Sequence, residues 1–318
     1  MPENGAVDEV IERLEYTDDR DDPKALQRYV ASFGRNLDYV LLVGGESYDP
    51  YDHLGLGSVS FVPSFYQRVN EFVAFGPTDE LVVDRDGDQL PDLSIGRLPV
   101  RTTGELQTVI DKMWAWQNSL APREALVSSG QSNADSSREL SAIGTTYTDS
   151  LGSGWETVTA AVDEAGTAAV RQSVLEAFAS GVPLISYVGH SAYGQWDFTP
   201  VLRWQDVAGL GYGGRPAVVL QWGCWNGYYA SPEYDTLSSH LLLQPIVGAV
   251  ATVGSSNLTS TAAHQGLGSR FLARVAAGDP TVGKALLKAK RELFASDPNT
   301  FDAVWGQVLL GDPATPLP

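Results

Sequence analysis

Short segments that are apolar at every position alternate with amphipathic ones along most of this chain. The first is Tyr39–Val43, a run of aromatic, valine and leucine residues that Gly44 and Gly45 terminate. Such a run is typical of a strand covered on both faces, because a half-exposed strand would alternate apolar and polar residues. Strands are also predicted at 93–97, 125–129, 155–160, 184–188, 217–222 and 247–253, and a last apolar segment covers 304–310.

The segments between these strands have helical features. Asp22 followed by Pro23 is typical of the N-cap and first residue of a helix, predicted over about 24–33. In a second helix, predicted at 103–117, apolar residues recur at mostly helical spacing: Leu106, Val109, Ile110, Met113, Trp114 and Trp116. Two more are predicted near 263–277 and 280–295. The alternation predicts an α/β fold with a mostly parallel sheet and helices on both faces.

Pro122 interrupts this alternation after the helix at 103–117. The junction near 118–124 is therefore the predicted boundary between an N-terminal subdomain, 1–120, and a second subdomain, 121–318. With 318 residues, the chain is long enough for one large domain or two small ones.

Charge and composition exclude several classes of protein. The formal net charge is -18, from 21 Lys and Arg against 39 Asp and Glu, so a nucleic-acid backbone would be repelled and cationic substrates favoured. A single cysteine excludes an intramolecular disulfide. No apolar run approaches the roughly 18 residues that a membrane span requires. The N-terminus lacks the basic start and apolar core of a signal peptide, which leaves either an intracellular protein or part of a longer precursor.

Two reactive side chains follow neighbouring predicted strands. His190 comes just after 184–188, and Cys224 comes just after 217–222. If these strands are adjacent, about 4.8 Å apart, the imidazole and the thiol face one crevice, and His190 can deprotonate the sulfur for nucleophilic attack. The alternative is a cysteine packed in the core and a histidine satisfied by a carbonyl. Gly189 and Gly223, which precede the two residues, favour exposed turns and hence the functional interpretation.

The order of several motifs resembles the gingipain family of cysteine peptidases, family C25. One strand ends in Gly-His, and a later one ends in Cys224 with Asn-Gly two residues on. Similar motifs occur in the family's order at 39–44, 91–97, 247–254 and 310–313, so the resemblance covers about 25–315. It implies a caspase-like three-layer α/β/α sandwich. The subdomain at 121–318 would then be catalytic, and 1–120 a truncated first part of the peptidase unit.

The resemblance implies that Cys224 is the nucleophile and His190 the catalytic histidine. The thiolate would attack a peptide carbonyl to form a thioester acyl-enzyme, and the backbone N–H groups of Cys224 and Ser191 would donate to the oxyanion. Ser191 departs from the family pattern, because the family usually has Gly at this position. The serine side chain either narrows the approach to the oxyanion donors or constrains the backbone of Ser191.

A second departure concerns the acidic partner of the histidine. Ser129 stands where the family has Glu. Either Asn133 or Asp135 substitutes for the missing Glu, or the two residues cap the following helix. The chemistry is therefore predicted to run as a dyad. His264, at a predicted helix start, is the alternative base.

Candidate substrate contacts follow from the same resemblance. Asp135 and Glu139 lie where Arg-directed members carry the acidic residue of the S1 pocket, although both also fit solvated carboxylates at a helix start. A basic P1 residue is the corresponding expectation. Aromatic residues near the crevice are candidates for the walls of substrate pockets, with core packing as the alternative for several: Tyr193, Trp196, Trp225, Tyr228 and Tyr229.

An acidic run offers a candidate metal site. Asp84, Asp86, Asp88 and Asp92, with Gly87 at the bend, match the oxygen ligands of a structural Ca²⁺ as well as they match a plain Asp-Gly turn. The spacing is not that of an EF-hand, and the peptidase chemistry requires no cofactor.

The sequence therefore predicts a cysteine endopeptidase that acts on peptides or proteins and does not bind nucleic acid. Two alternatives stay open: a sortase-like transpeptidase using the same dyad, and a catalytically inactive peptide-binding protein. Family members usually carry a signal and an extra N-terminal part, so the resemblance implies a secreted or cell-surface protein that is part of a longer precursor. Oligomeric state is not predicted.

Overall fold

The computed structural model describes residues 22–34, 36–119, 121–133, 139–211 and 215–318. The strands are β1 Tyr39–Val43, β2 Phe65–Gln67, β3 Gly76–Thr78, β4 Ser94–Leu98, β5 Glu124–Ser129, β6 Glu156–Ala161, β7 Leu184–Val188, β8 Ser191–Ala192, β9 Gln195–Trp196, β10 Leu202–Arg203, β11 Ala217–Trp222, β12 Ala249–Ser255 and β13 Gln307–Leu310.

The α-helices are α1 Pro23–Ser32, α2 Thr103–Gln117, α3 Leu140–Leu151, α4 Val162–Ala165, α5 Thr167–Ser180, α6 Trp204–Val207, α7 Leu237–Leu243, α8 Thr261–Ala276, α9 Val282–Ser296 and α10 Phe301–Val304, and a 3₁₀ helix covers Glu80–Val83. None of the helices in the described ranges is both long and apolar enough to cross a membrane.

An eight-stranded sheet forms the centre of the molecule, in the order β1-β4-β13-β12-β11-β7-β5-β6. The strands from β12 to β6 are parallel, and so are β13, β4 and β1, but the two groups run in opposite directions because β12 and β13 pair antiparallel. The mostly parallel sheet predicted from the sequence is therefore confirmed, with one reversal.

Alternate residues of the central strands point into cores on opposite faces. Leu184 packs into a cluster that includes residues of α3, α8 and α9, whereas its neighbour Ile185 packs into a cluster that includes residues of α5 and α7. Burial on both faces explains why β7 and β11 are apolar at nearly every position. The three-layer α/β/α architecture is confirmed.

The first part of the chain joins this sheet through β1 and β4, while β13, from the C-terminal end of the chain, lies between β4 and β12. A buried ion pair between Lys290 of α9 and Glu80 adds to the connection. A second buried pair, Arg97 and Asp79 at 2.7 Å, lies within the first part of the chain. The boundary predicted near 118–124 falls between α2 and β5 and stays a prediction.

Candidate active site

The strands that precede His190 and Cys224 are neighbours in the sheet. β7 and β11 pair in parallel, with Val188 opposite Trp222. His190 and Cys224 therefore each lie two residues beyond this pair. Both line one cleft of about 280 Å³, together with Leu140, Val188, Gly189, Trp222, Thr259, Ser260, Thr261 and His264. The adjacency expected from the sequence is therefore present.

Cys224 is half-buried in this cleft, and its Sγ lies 3.6 Å from the Thr259 carbonyl, to which it donates. Burial raises the pKa of the Cys224 thiol, and the charge of Asp302 acts in the same direction. The sulfur is consequently a thiol at neutral pH in the resting protein and has to lose a proton before it can attack.

His190 is held through both its ring and its main chain. Its Nε2 lies 3.1 Å from Asn133 Oδ1, an amide oxygen that can only accept, so Nε2 is the donor in this contact. The ring also packs on Phe198, with centroids 4.7 Å apart. The His190 carbonyl accepts from the Tyr187 hydroxyl and the Asp197 N–H, each at 2.7 Å.

Asp197 connects the histidine loop to the loop after β5. Its Oδ2 accepts from the Gln131 N–H at 2.6 Å and its Oδ1 from the Phe198 N–H at 2.7 Å. The residue is buried and adopts φ of 67°, an uncommon conformation that Asp tolerates better than most residues. Asp197 therefore fixes the segment that carries Asn133 relative to His190, a role the sequence analysis did not identify.

Ser191 connects the histidine loop to the cysteine loop. Its hydroxyl donates to the Cys224 carbonyl at 2.7 Å and accepts from Asn226 Nδ2 at 3.0 Å. The Ser191 side chain thus points to the main chain that carries the nucleophile. This contact agrees with a constraint on the backbone, and no contact of the side chain with the described residues shows a narrowed approach.

The two departures from the family pattern have clear positions. Ser129 is buried at the end of β5, and Asn133 Oδ1 lies 3.1 Å from Nε2 of His190. Asp135 lies outside the described residues. Glu139 is exposed just before α3 and is not one of the residues that line the cleft, although its neighbour Leu140 is. Within the described part of the chain, the cleft lining contains no carboxylate.

The predicted aromatic contacts separate into two groups. Tyr193 packs against Trp225, which follows Cys224, and against Tyr228 and Tyr234, in a partly exposed cluster next to the nucleophile. Trp196, by contrast, is fully buried, stacks on Tyr187 at 4.7 Å and donates from Nε1 to Gln221. Trp196 is therefore a core residue, which corrects its assignment to the substrate. Tyr229 is also buried, beneath the guanidinium of Arg97.

His264 lines the same cleft from the first turn of α8. Burial lowers the pKa of its imidazole to about 3, so the ring is neutral over the range in which most peptidases act. A base that weak does not hold an abstracted proton at neutral pH, which favours His190 for that role.

The acidic run lies in the loop before β4. Asp84, Asp86 and Asp88 place a carboxylate oxygen each within 4.8 Å of one another, close enough for the three to contact one Ca²⁺. Asp92 lies outside this group and pairs with Arg291 at 3.0 Å and Arg85 at 3.9 Å. The three remaining carboxylates fit a calcium site, and its occupancy stays a prediction.

Solved structures with a similar architecture provide the comparison. The Arg-specific cysteine proteinase gingipain R (RgpB) superposes with a TM-score of 0.78 at 16% identity, covering 92% of this chain and 68% of that one. RgpB in the complex of Porphyromonas gingivalis RgpB pro- and mature domains gives 0.72 at 15% identity, covering 92% and 70%. These likenesses show the fold, which is caspase-like.

Sequence similarity gives the family. No curated protein sequence matches the chain. The sequence profile described as peptidase family C25 matches residues 6–318, almost the whole chain, and RgpB is a gingipain of that family. The chain belongs to peptidase family C25, the gingipain family of cysteine peptidases.

Proposed function

We propose that this protein is a cysteine endopeptidase in which Cys224 and His190 form the catalytic dyad. The observation that carries the proposal is that both residues follow strands paired in register and line one cleft. Membership of family C25 supports the reaction class.

The mechanism begins from a protonated sulfur. His190 Nδ1 takes the Cys224 proton as the sulfur attacks the peptide carbonyl carbon, and the carbonyl oxygen becomes an oxyanion. The imidazolium then gives its proton to the departing amine as the C–N bond breaks, which leaves a thioester. A water molecule loses a proton to His190 and attacks the thioester, which releases the carboxylic acid product and the thiol. Asn133 Oδ1 accepts from Nε2, so in the neutral ring Nδ1 carries the lone pair that takes the proton.

The oxyanion would be stabilised by backbone donors. The N–H groups of Cys224 and Ser191 are the candidates, because Cys224 carries the sulfur, Ser191 follows His190, and the Ser191 hydroxyl fixes the two loops to each other. Donors fixed in place before the reaction stabilise developing charge at little reorganisation cost.

The substrate is proposed to be a peptide or protein with a basic P1 residue. The formal charge of -18 favours cationic substrates. Glu139, which precedes Leu140 of the cleft lining, is the candidate carboxylate for contact with a basic P1 side chain. The aromatic cluster of Tyr193 and Trp225 would flank the chain of the substrate. As in the gingipains, we expect a secreted or cell-surface protein.

A diverse peptide library tests the proposal. Wild-type protein is expected to cleave internal peptide bonds, and Cys224→Ala is expected to lower the rate to background without changing the far-UV circular dichroism, because the nucleophile is lost and the fold is not. His190→Ala should behave likewise. His240→Ala is the matched control, since His240 stacks on Trp204 and does not line the cleft.

Two results would replace this function. Products that carry an added amine, detected by mass spectrometry, would identify a transpeptidase with the same dyad. Peptide binding without cleavage by the wild-type protein, with no labelling of Cys224 by a peptide electrophile, would identify a catalytically inactive binding protein.

A further inference from the structure

The main chain around Cys224 is held by side chains from two other segments. Asn226 is fully buried, and its Oδ1 accepts from the Ser255 N–H at 2.9 Å. Its Nδ2 donates to the Gly223 carbonyl at 3.1 Å and to Ser191 Oγ at 3.0 Å. The contact with Ser255, the last residue of β12, fixes which end of the amide accepts and which donates.

The direction of the Ser191 hydroxyl follows from this orientation. Because Asn226 Nδ2 donates to Ser191 Oγ, the hydroxyl hydrogen is free for another acceptor, and the Cys224 carbonyl lies 2.7 Å away. Asn226 and Ser191 therefore hold two successive carbonyls, those of Gly223 and Cys224. We call these two side chains the carbonyl clamp.

Holding these carbonyls sets the direction of the N–H between them. No cis peptide bond occurs in the described chain, and in a planar trans peptide unit the C=O and the following N–H point in opposite directions. The Gly223 carbonyl and the Cys224 N–H belong to one such unit. Fixing that carbonyl on Asn226 consequently turns the Cys224 N–H away from Asn226.

We propose that Ser191 is a positioning residue, whose hydroxyl, together with Asn226, aims the Cys224 N–H at the oxyanion of the acylation step. The inference rests on the proposed peptidase function. The Ser191 side chain does not touch the reacting atoms in this arrangement, and it acts by holding the peptide units on either side of the Cys224 α-carbon.

Tight packing supports a fixed arrangement. A Cβ added to Gly223 would lie 2.3 Å from Ser191 Oγ and 2.7 Å from the Gly189 carbonyl oxygen, distances that real Cβ atoms do not tolerate. The next residue, Trp225, adopts φ of 63°, so the turn that carries the nucleophile includes an uncommon backbone conformation. An uncommon backbone conformation persists only where the surrounding structure stabilises it, and the carbonyl clamp supplies hydrogen bonds that stabilise this turn.

The test compares two reactions of the same sulfur. Acylation by a peptide substrate passes through an oxyanion, whereas alkylation by iodoacetamide displaces iodide and forms none. We expect Ser191→Ala to lower kcat for peptide hydrolysis by about tenfold to a hundredfold, since loss of a whole oxyanion donor costs roughly 10² to 10³. KM should change less than about threefold, and the rate and pH profile of Cys224 alkylation should stay near those of the wild type.

Two further variants separate positioning from a general structural effect. Ser191→Thr keeps the hydroxyl and should restore most of kcat, while Ser191→Gly removes it and should match Ser191→Ala. Ser128→Ala is the matched control, because Ser128 is a buried serine that also donates to a carbonyl, that of Ser186 at 3.2 Å, and does not line the cleft. It should leave kcat unchanged.

The outcomes are distinguishable. Unchanged kcat in Ser191→Ala, or a parallel fall in hydrolysis and alkylation, would overturn the clamp while leaving the peptidase function in place. A wild-type protein whose Cys224 is alkylated but which cleaves no peptide would overturn the proposed function, and the clamp with it.

Discussion

At the residue scale, burial sets the protonation of the cleft. It raises the pKa of Cys224 and lowers that of His264 to about 3, so both groups are neutral at rest. Neither shift can be predicted from the sequence, because burial of these side chains depends on how α8 and the loop at Thr259 pack beside β11. The sequence does predict that Cys224 and His190 meet, since each follows an apolar strand and a glycine.

His264 gives a prediction about stability. Its pKa is about 3 in the folded protein and 6.5 as a reference value, so between these values the unfolded chain binds more protons and stability falls as the pH falls. The loss at pH 5 is about 2 kcal/mol. We expect His264→Gln, which does not titrate, to lose less stability than the wild type between pH 7 and pH 5.

Urea unfolding at the two pH values measures this difference. His53→Gln, at an exposed histidine, is the control and should keep the dependence of the wild type. Equal pH dependence in His264→Gln and the wild type would show that the imidazole is not buried as described.

At the element scale, the site is built by the segments that follow β5, β7, β11 and β12. Strands 184–188 and 217–222 are predicted with the bounds that the structure gives, because each is an apolar run between a proline and a glycine. The two-residue strands β8, β9 and β10 are not predicted, since segments that short carry no periodicity. The apolar segment at 304–310 is not one element in the structure. Its first residue ends α10, and β13 begins after Gly306.

Asp197 gives the prediction for these loops. Asp197→Ala removes the acceptors of the Gln131 and Phe198 N–H groups and places Ala at φ of 67°, so we expect a loss of about 2–4 kcal/mol in the free energy of unfolding. kcat should also fall, because the segment that carries Asn133 loses its side-chain anchor to the histidine loop. Urea unfolding and steady-state kinetics measure the two effects.

Asp235→Ala provides the comparison, since Asp235 forms a partly exposed ion pair with Arg101 at 3.0 Å. A pair of this kind contributes less than about 1 kcal/mol. If Asp197→Ala lowered the free energy of unfolding no more than Asp235→Ala, the link between the two loops would not be important for the stability of the fold.

At the scale of the whole molecule, one sheet joins the first and last parts of the chain. The alternation of strands and helices predicts the layers, but it carries no information about the order of strands, so the position of β13 beside β4 had to come from the structure. Lys290 of α9 and Glu80 form a pair that is buried on both sides, 210 residues apart in sequence.

Glu80→Ala tests this connection. It leaves a buried ammonium group without its carboxylate, and the expected loss is about 3–5 kcal/mol. Because β4, β13 and α9 belong to one packed unit, circular dichroism and tryptophan fluorescence should shift together to lower urea. Asp38→Ala is the matched control: its partner Lys284 is on the same helix, but Asp38 is exposed, so the loss should be much smaller than that of Glu80→Ala. Separate transitions for the two probes would instead indicate parts that unfold independently.

The proton on Cys224 has a consequence for the protein between catalytic cycles. Peroxide and foreign disulfides react with ionised sulfur, and burial raises the pKa of Cys224, so little of the sulfur is ionised at neutral pH until its proton moves to the imidazole during attack on a bound peptide. We therefore expect the enzyme to survive oxidising surroundings that would inactivate a peptidase whose cysteine is permanently ionised. The same burial that makes the nucleophile depend on His190 also slows its reaction with anything other than a substrate.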